Sequence, residues 1–134
     1  GGTYNARGTF TYVGRNGAAN LNVSGGFFDA NEMYVGNDSA GGVATINVTG
    51  GILHADNTYL GVRAVTDVNV SGGLFDSDSI NLGHPSVGST TTFDVTGTGV
   101  VNVGTLTLSP GPGTANFTLE GGTLAGSLTL FPGS

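Results

Sequence analysis

The sequence predicts an all-β chain wound as a parallel β-helix (β-solenoid), with about five to six coils of 22–25 residues and three short strands in each. Three observations lead there. Gly-Gly pairs recur at 25–26, 50–51, 72–73 and 121–122, with Gly97-Thr98-Gly99 as an interrupted copy and Gly1-Gly2 in register ahead of them. Their first glycines are 24, 25, 22, 25 and 24 residues apart, a period with small variation of the kind loops absorb. Apolar residues fall at the same offsets in every unit, so each unit fills the same columns.

The first strand of each coil precedes the glycines: Leu21-Asn22-Val23-Ser24, Ile46-Asn47-Val48-Thr49, Val68-Asn69-Val70-Ser71, Phe93-Asp94-Val95-Thr96 and Phe117-Thr118-Leu119-Glu120. The strict apolar–polar alternation marks a half-buried strand whose first and third positions point inward. The second strand follows the glycines: Phe27-Phe28-Asp29-Ala30, Ile52-Leu53-His54-Ala55 and Leu74-Phe75-Asp76-Ser77, a large then a small inward residue. The third is Met33-Tyr34-Val35-Gly36, Thr58-Tyr59-Leu60-Gly61 and Ile80-Asn81-Leu82-Gly83, with Leu106-Thr107-Leu108 and Leu128-Thr129-Leu130 as copies lacking the closing glycine. Glycine suits the corners because it reaches positive φ without steric cost. A β-sandwich need not repeat one pattern at one period, and a membrane barrel needs longer strands with aromatic girdles.

The whole chain, 1–134, reads as one domain: an irregular first coil over 1–18, regular coils over 19–131 and a tail at 132–134. It holds 26 glycines, no lysine and only Arg7, Arg15 and Arg63 as cations, for a formal net charge of −6. Regularly placed Val, Ile, Leu, Phe and Tyr argue against disorder. The negative balance argues against nucleic acid and anionic membrane surfaces as partners. No apolar run approaches the ~20 residues of a membrane helix, so membrane insertion is not expected. No basic-then-apolar leader is read, so an export signal is expected to lie outside these residues. The absence of cysteine excludes thiolate metal sites, thiol catalysis and disulfides. No cofactor is expected. The lack of lysine and the Ser/Thr/Asn-rich outer positions predict a secreted or cell-surface setting.

Units such as INVTGGILHADNTYLG and VNVSGGLFDSDSINLG, over about residues 19–131, resemble the glycine-rich repeats of bacterial autotransporter passengers and related surface adhesins. The resemblance implies secretion and a right-handed β-helix. It implies no catalytic residue, because the shared pattern is structural.

Candidate chemistry lies on the outward columns. Asp29, His54, Asp76 and Asn102 form one; Asn31, Asp56 and Asp78 form the next. On stacked coils such acids lie within one or two spacings of about 4.8 Å, the arrangement that β-helix enzymes of acidic polysaccharides use as an acid/base pair or calcium site. Asp29, Asp76, Asp56 and Asp78 are accordingly the calcium candidates. The reading adopted is plainer: outward positions are polar for solubility, Asp and Asn favour turns, and basic residues to grip an acidic polymer are missing. The chain is therefore expected not to be an enzyme, with a polysaccharide-binding or polysaccharide-processing role of the Asp29/His54/Asp76 face as the alternative.

Asn22, Asn47 and Asn69 share a third column, continued by Asp94. They stand in glycosylation sequons, as do Asn37 and Asn116, but stacked asparagines also form amide ladders, and the ladder is the reading adopted. Tyr34 and Tyr59, one coil apart, are a candidate aromatic contact for a glycan or a neighbouring rod. An ice-binding face needs a regular Thr-x-Thr array, and the first strand's outward face mixes Asn, Asp and Glu with threonine. Both ends read as coil in register, with Thr9–Gly14 strand-like at one end and Pro132 the terminator at the other. Uncapped coils expose unpaired backbone groups, so head-to-tail self-association into a filament, or continuation in a longer solenoid, is expected. The function expected is that of an extracellular structural protein, the repeating body of a surface adhesin stalk or filament.

Overall fold

The computed structural model describes residues 2–37, 42–84, 89–109 and 111–131. Gly1, Pro132 and the tail at 132–134, named above, lie outside the described residues. Among those described there is strand and turn but no helix, and therefore no helix long and apolar enough to cross a membrane.

The strands are β1 (Thr3–Val13), β2 (Ala19–Val35), β3 (Val43–Leu60), β4 (Val65–Val70), β5 (Leu74–Leu82), β6 (Thr90–Thr96), β7 (Val100–Leu108), β8 (Thr114–Glu120) and β9 (Thr123–Leu130). Each pairs in parallel with the strand one repeat away. Leu21 meets Ile46, Ile46 meets Val68, Val68 meets Phe93 and Phe93 meets Phe117. The chain is thus a β-solenoid of five full coils, preceded by β1 as a partial one.

The three expected strands per coil are three ladder segments within fewer, longer strands. In β2 and β3 all three run on without a break, and in later coils the second and third run together. Their boundary survives in the register, where pairing steps from Ala30↔Ala55 to Glu32↔Asn57 and omits Asn31 and Asp56. That corner residue shifts the inward parity, so Ala30 and Met33, three apart, are both fully buried. Within 1–18, expected as an irregular coil, β1 pairs with the second and third segments of β2. Its irregularity is confined to one place: Arg7, Gly8 and Thr9 stand between Ala6↔Ala30 and Phe10↔Glu32, three residues opposite the single corner residue Asn31.

The expected inward columns are the core except at the last coil, where Leu119 and Leu130 are exposed. Ile46, Val68 and Phe93 are completely buried, as are Leu53, Phe75 and Val101, and Val35, Leu60 and Leu82. Phe93 packs between Phe75 and Phe117, ring centroids 5.7 and 5.6 Å away. The core is also polar where a corner narrows it. Thr58 and Ser77 share a hydroxyl contact of 3.1 Å, and Ser77 donates to the Ser79 carbonyl at 2.9 Å. Thr66 and Thr91 stand inward between Ala44 and Ala115 in their column.

The two glycines of a pair do different work. Gly51 has φ +70°, which L side chains rarely adopt. Gly50 lacks that need, but a Cβ there would lie 2.6 Å from the Ser24 carbonyl oxygen of the preceding coil. In the pairs 25–26, 50–51 and 72–73 the second glycine carries the positive φ that turns the corner, whereas in 121–122 the first does, Gly121 at φ +81°.

Candidate functional site

Three side-chain columns run along the outside of the coils, and the ladder register sets each. The first is Asp29–His54–Asp76–Asn102, in direct Cα register. His54 occupies its centre: Nδ1 lies 2.8 Å from Asp76 Oδ2 and Nε2 lies 3.0 Å from Asp56 Oδ1. A neutral imidazole has one N–H, so only the imidazolium donates to both carboxylates. Partial burial draws the His54 pKa down, but the bonds to Asp76 and Asp56 and the charges of Asp76 and Asp29 outweigh it, and the net shift is upward. Asn102 donates to the other oxygen of Asp76 at 2.7 Å.

Arg7 completes this cluster, and sequence reasoning missed it. The corner insertion in β1 carries its guanidinium over the Asn31/Asp56 corner, where it bonds Asp29 at 2.8 Å, Asn31 at 3.1 Å and both oxygens of Asp56 at 3.0 and 3.1 Å. The hydrogen bonds from Arg7 and then from His54 hold the Asp56 carboxyl below its ordinary range. The signal for Arg7 was its position in a unit with extra residues at that corner. Asp29 is nearly buried, and its Oδ1 lacks a hydrogen bond, 3.9 Å from His54 Nε2.

The structure thus brings Asp29, Asp56 and Asp76 together with His54, and leaves Asp78 exposed one coil beyond Asp56. Of the calcium candidates, Asp29, Asp56 and Asp76 are paired with Arg7 and His54 and Asp78 is not, and no metal-holding group of three or more such residues occurs among the described residues. Chemically, a histidine bonded through both nitrogens to carboxylates is a charge clamp between coils. A general base needs a nitrogen facing the proton it takes.

The second column is the amide ladder. Asn47 donates its side-chain N–H to Asn22 Oδ1 at 2.8 Å, and Asn69 donates to Asn47 Oδ1 at 3.1 Å. The amide nitrogens that a glycan would modify at Asn47 and Asn69 are therefore hydrogen-bond donors between coils. Asn116, the sequon on β8, is exposed, and Asn37 follows the glycine that ends β2's third segment.

The third column is aromatic, and longer than the sequence pair suggested. Tyr12, Tyr34 and Tyr59 are in register, with ring centroids 5.4 and 4.9 Å apart and planes within 21° and 13°. The Arg15 guanidinium covers the outer face of this stack, 4.7 Å from the Tyr12 centroid. Tyr34 donates its hydroxyl to Glu32 at 2.9 Å; partial desolvation, then that bond, pushes its pKa up to about 12. Beyond Tyr59 the column continues as Asn81, Thr107 and Thr129. The fall in side-chain size opens a groove of about 720 Å³ that runs from the tyrosines to Phe131.

Comparison with protein-family models, curated proteins and solved structures found no match to this chain.

Proposed function

We propose that the chain is an extracellular structural protein, the repeating body of a surface stalk or filament built by coil-on-coil stacking, akin to the glycine-rich repeats of autotransporter adhesins. The observation that carries this reading is how the outward side chains use their polar groups. Asn22, Asn47 and Asn69 bond one another along the axis, Asp29, His54, Asp56 and Asp76 are tied to each other and to Arg7, and the tyrosines stack. These columns reinforce the rod. Catalysis would need such groups turned towards a substrate.

The edges support assembly. Among the described residues β8 and β9 pair on one side only, and Leu119, Leu128 and Leu130 are 47%, 48% and 62% exposed. At the other edge β1 presents the second and third segments, and Ala19–Ser24 of β2, one coil further in, presents the first. A second copy stacked head to tail through its β1 on β9 continues the second- and third-segment columns, and such a heterologous contact does not close. Electron microscopy with light scattering tests this. Filaments with an axial repeat of about 29 Å, six strand spacings, are expected, and Leu130→Lys is expected to suppress them. A chain that stays monomeric at millimolar concentration would overturn the assembly.

A further inference from the structure

We propose that the groove below Tyr59 is a binding site for a neutral oligosaccharide. One face of the Tyr59 ring is covered by Tyr34 at 4.9 Å. Its column neighbour on the opposite side is Asn81, too small to cover a ring. The ring face therefore forms a step at one end of the groove, and Phe131 lines the other. Between them the floor is Asn81, Thr107 and Thr129, an amide and two hydroxyls at successive coils.

This lining selects a chemical class. An aromatic face takes the apolar C–H face of a sugar ring, and amides and hydroxyls at regular spacing match a repeating set of sugar hydroxyls. Among the described residues no lysine or arginine lines the groove and His84 is the one basic side chain there, so the lining carries no permanent positive charge to compensate an anionic ligand. The groove's volume lies within the usual ~300–1,000 Å³ of small-molecule sites. Three strand spacings separate Tyr59 from Thr129, about 14 Å, which gives an extended ligand along the axis room for several contacts. The groove's lining comes from one chain.

The test is an NMR titration of the isotope-labelled chain with neutral cello-, manno- and xylo-oligosaccharides, and with an oligogalacturonate as the anionic control. Shifts at Asn81, Thr107 and Thr129 are expected with at least one neutral series. Tyr59→Ala is expected to weaken binding about tenfold or more, while Tyr12→Ala, which breaks the stack outside the groove, leaves it within about twofold. Should Tyr59→Ala lose the parent far-UV spectrum, Thr107→Arg obstructs the floor without removing an aromatic. The proposal is overturned if no neutral oligosaccharide shifts these residues, if only the anionic probe does, or if the groove variants bind like the parent.

Discussion

Replacing Gly51 by alanine separates two costs that the fold imposes on one residue. Its φ of +70° is left-handed, which disfavours an L side chain by about 1–2 kcal/mol. The new Cβ would also stand 2.6 Å from the Gly25 carbonyl carbon and 2.7 Å from the Gly26 oxygen, both backbone of the preceding coil. Backbone held by two ladders cannot yield as a flexible side chain does, and overpacking of this kind costs about 1–3 kcal/mol more. Two companions isolate the parts. Gly8 has φ +89° with nothing within 4 Å of a built Cβ, and Gly50 has the close approach to Ser24 without the positive φ. Urea unfolding followed by far-UV circular dichroism is expected to place Gly51→Ala about 3 kcal/mol below the parent, with Gly8→Ala and Gly50→Ala each losing less. If Gly51→Ala were no costlier than Gly8→Ala, the coils would not approach as closely at the glycine corner as described.

Three further outcomes follow from the core and the columns. Phe93→Ala removes a completely buried ring between Phe75 and Phe117 and is expected to cost about 3–5 kcal/mol in the same unfolding assay. Stability should depend on pH with two opposite slopes. His54 has a raised pKa, so its contribution is complete below the ordinary value of 6.5 and is lost as pH rises through the folded-state value. Asp56 has a lowered pKa, so its contribution is present above the ordinary value of 3.8 and is lost as pH falls through the folded-state value. Urea midpoints measured across pH are therefore expected to be highest between these two values, with the alkaline slope absent in His54→Gln and the acid slope reduced in Arg7→Gln. Asn47→Ala removes both ladder bonds of the central asparagine and is expected to cost about 1–2 kcal/mol, more than Asn116→Ala on the exposed face of β8, where the effect should stay within about 0.5 kcal/mol.

What the sequence made legible is what repeats. The inward columns, the Asn22/Asn47/Asn69 ladder and the Asp29/His54/Asp76 file are all consequences of one period, and any residue at a fixed offset could be placed on its neighbours. What stayed hidden is what breaks the period. Arg7 reaches Asp29 and Asp56 because β1 carries three residues at a corner where the others carry one, and no other unit offers a template for that insertion. Tyr12 joins Tyr34 and Tyr59 for the same reason, since its register is fixed across the insertion and not by a Gly-Gly landmark. The inward threonines Thr58, Thr66 and Thr91 stand where the columns otherwise carry apolar residues: Thr58 meets the Ser77 hydroxyl of the neighbouring coil, Thr66 donates to the Ala64 and Val35 carbonyls, and Thr91 Oγ1 is buried with no hydrogen-bond partner among the described residues.

The most direct test of the account is whether positions one repeat apart lie one strand spacing apart. Thr45 is in register with Asp67, and Asp67 with Thr92. The chain has no cysteine of its own, so a pair introduced at Thr45 and Asp67 reports on that contact without competition. Disulfides require Cα separations of roughly 4.4–6.8 Å, which one strand spacing satisfies and two, about 9.6 Å, do not. Mild oxidation is expected to close Thr45→Cys with Asp67→Cys within the monomer and to leave Thr45→Cys with Thr92→Cys reduced. Closure of the second pair and not the first would contradict the coil-on-coil register on which the columns, the groove and the proposed assembly all depend.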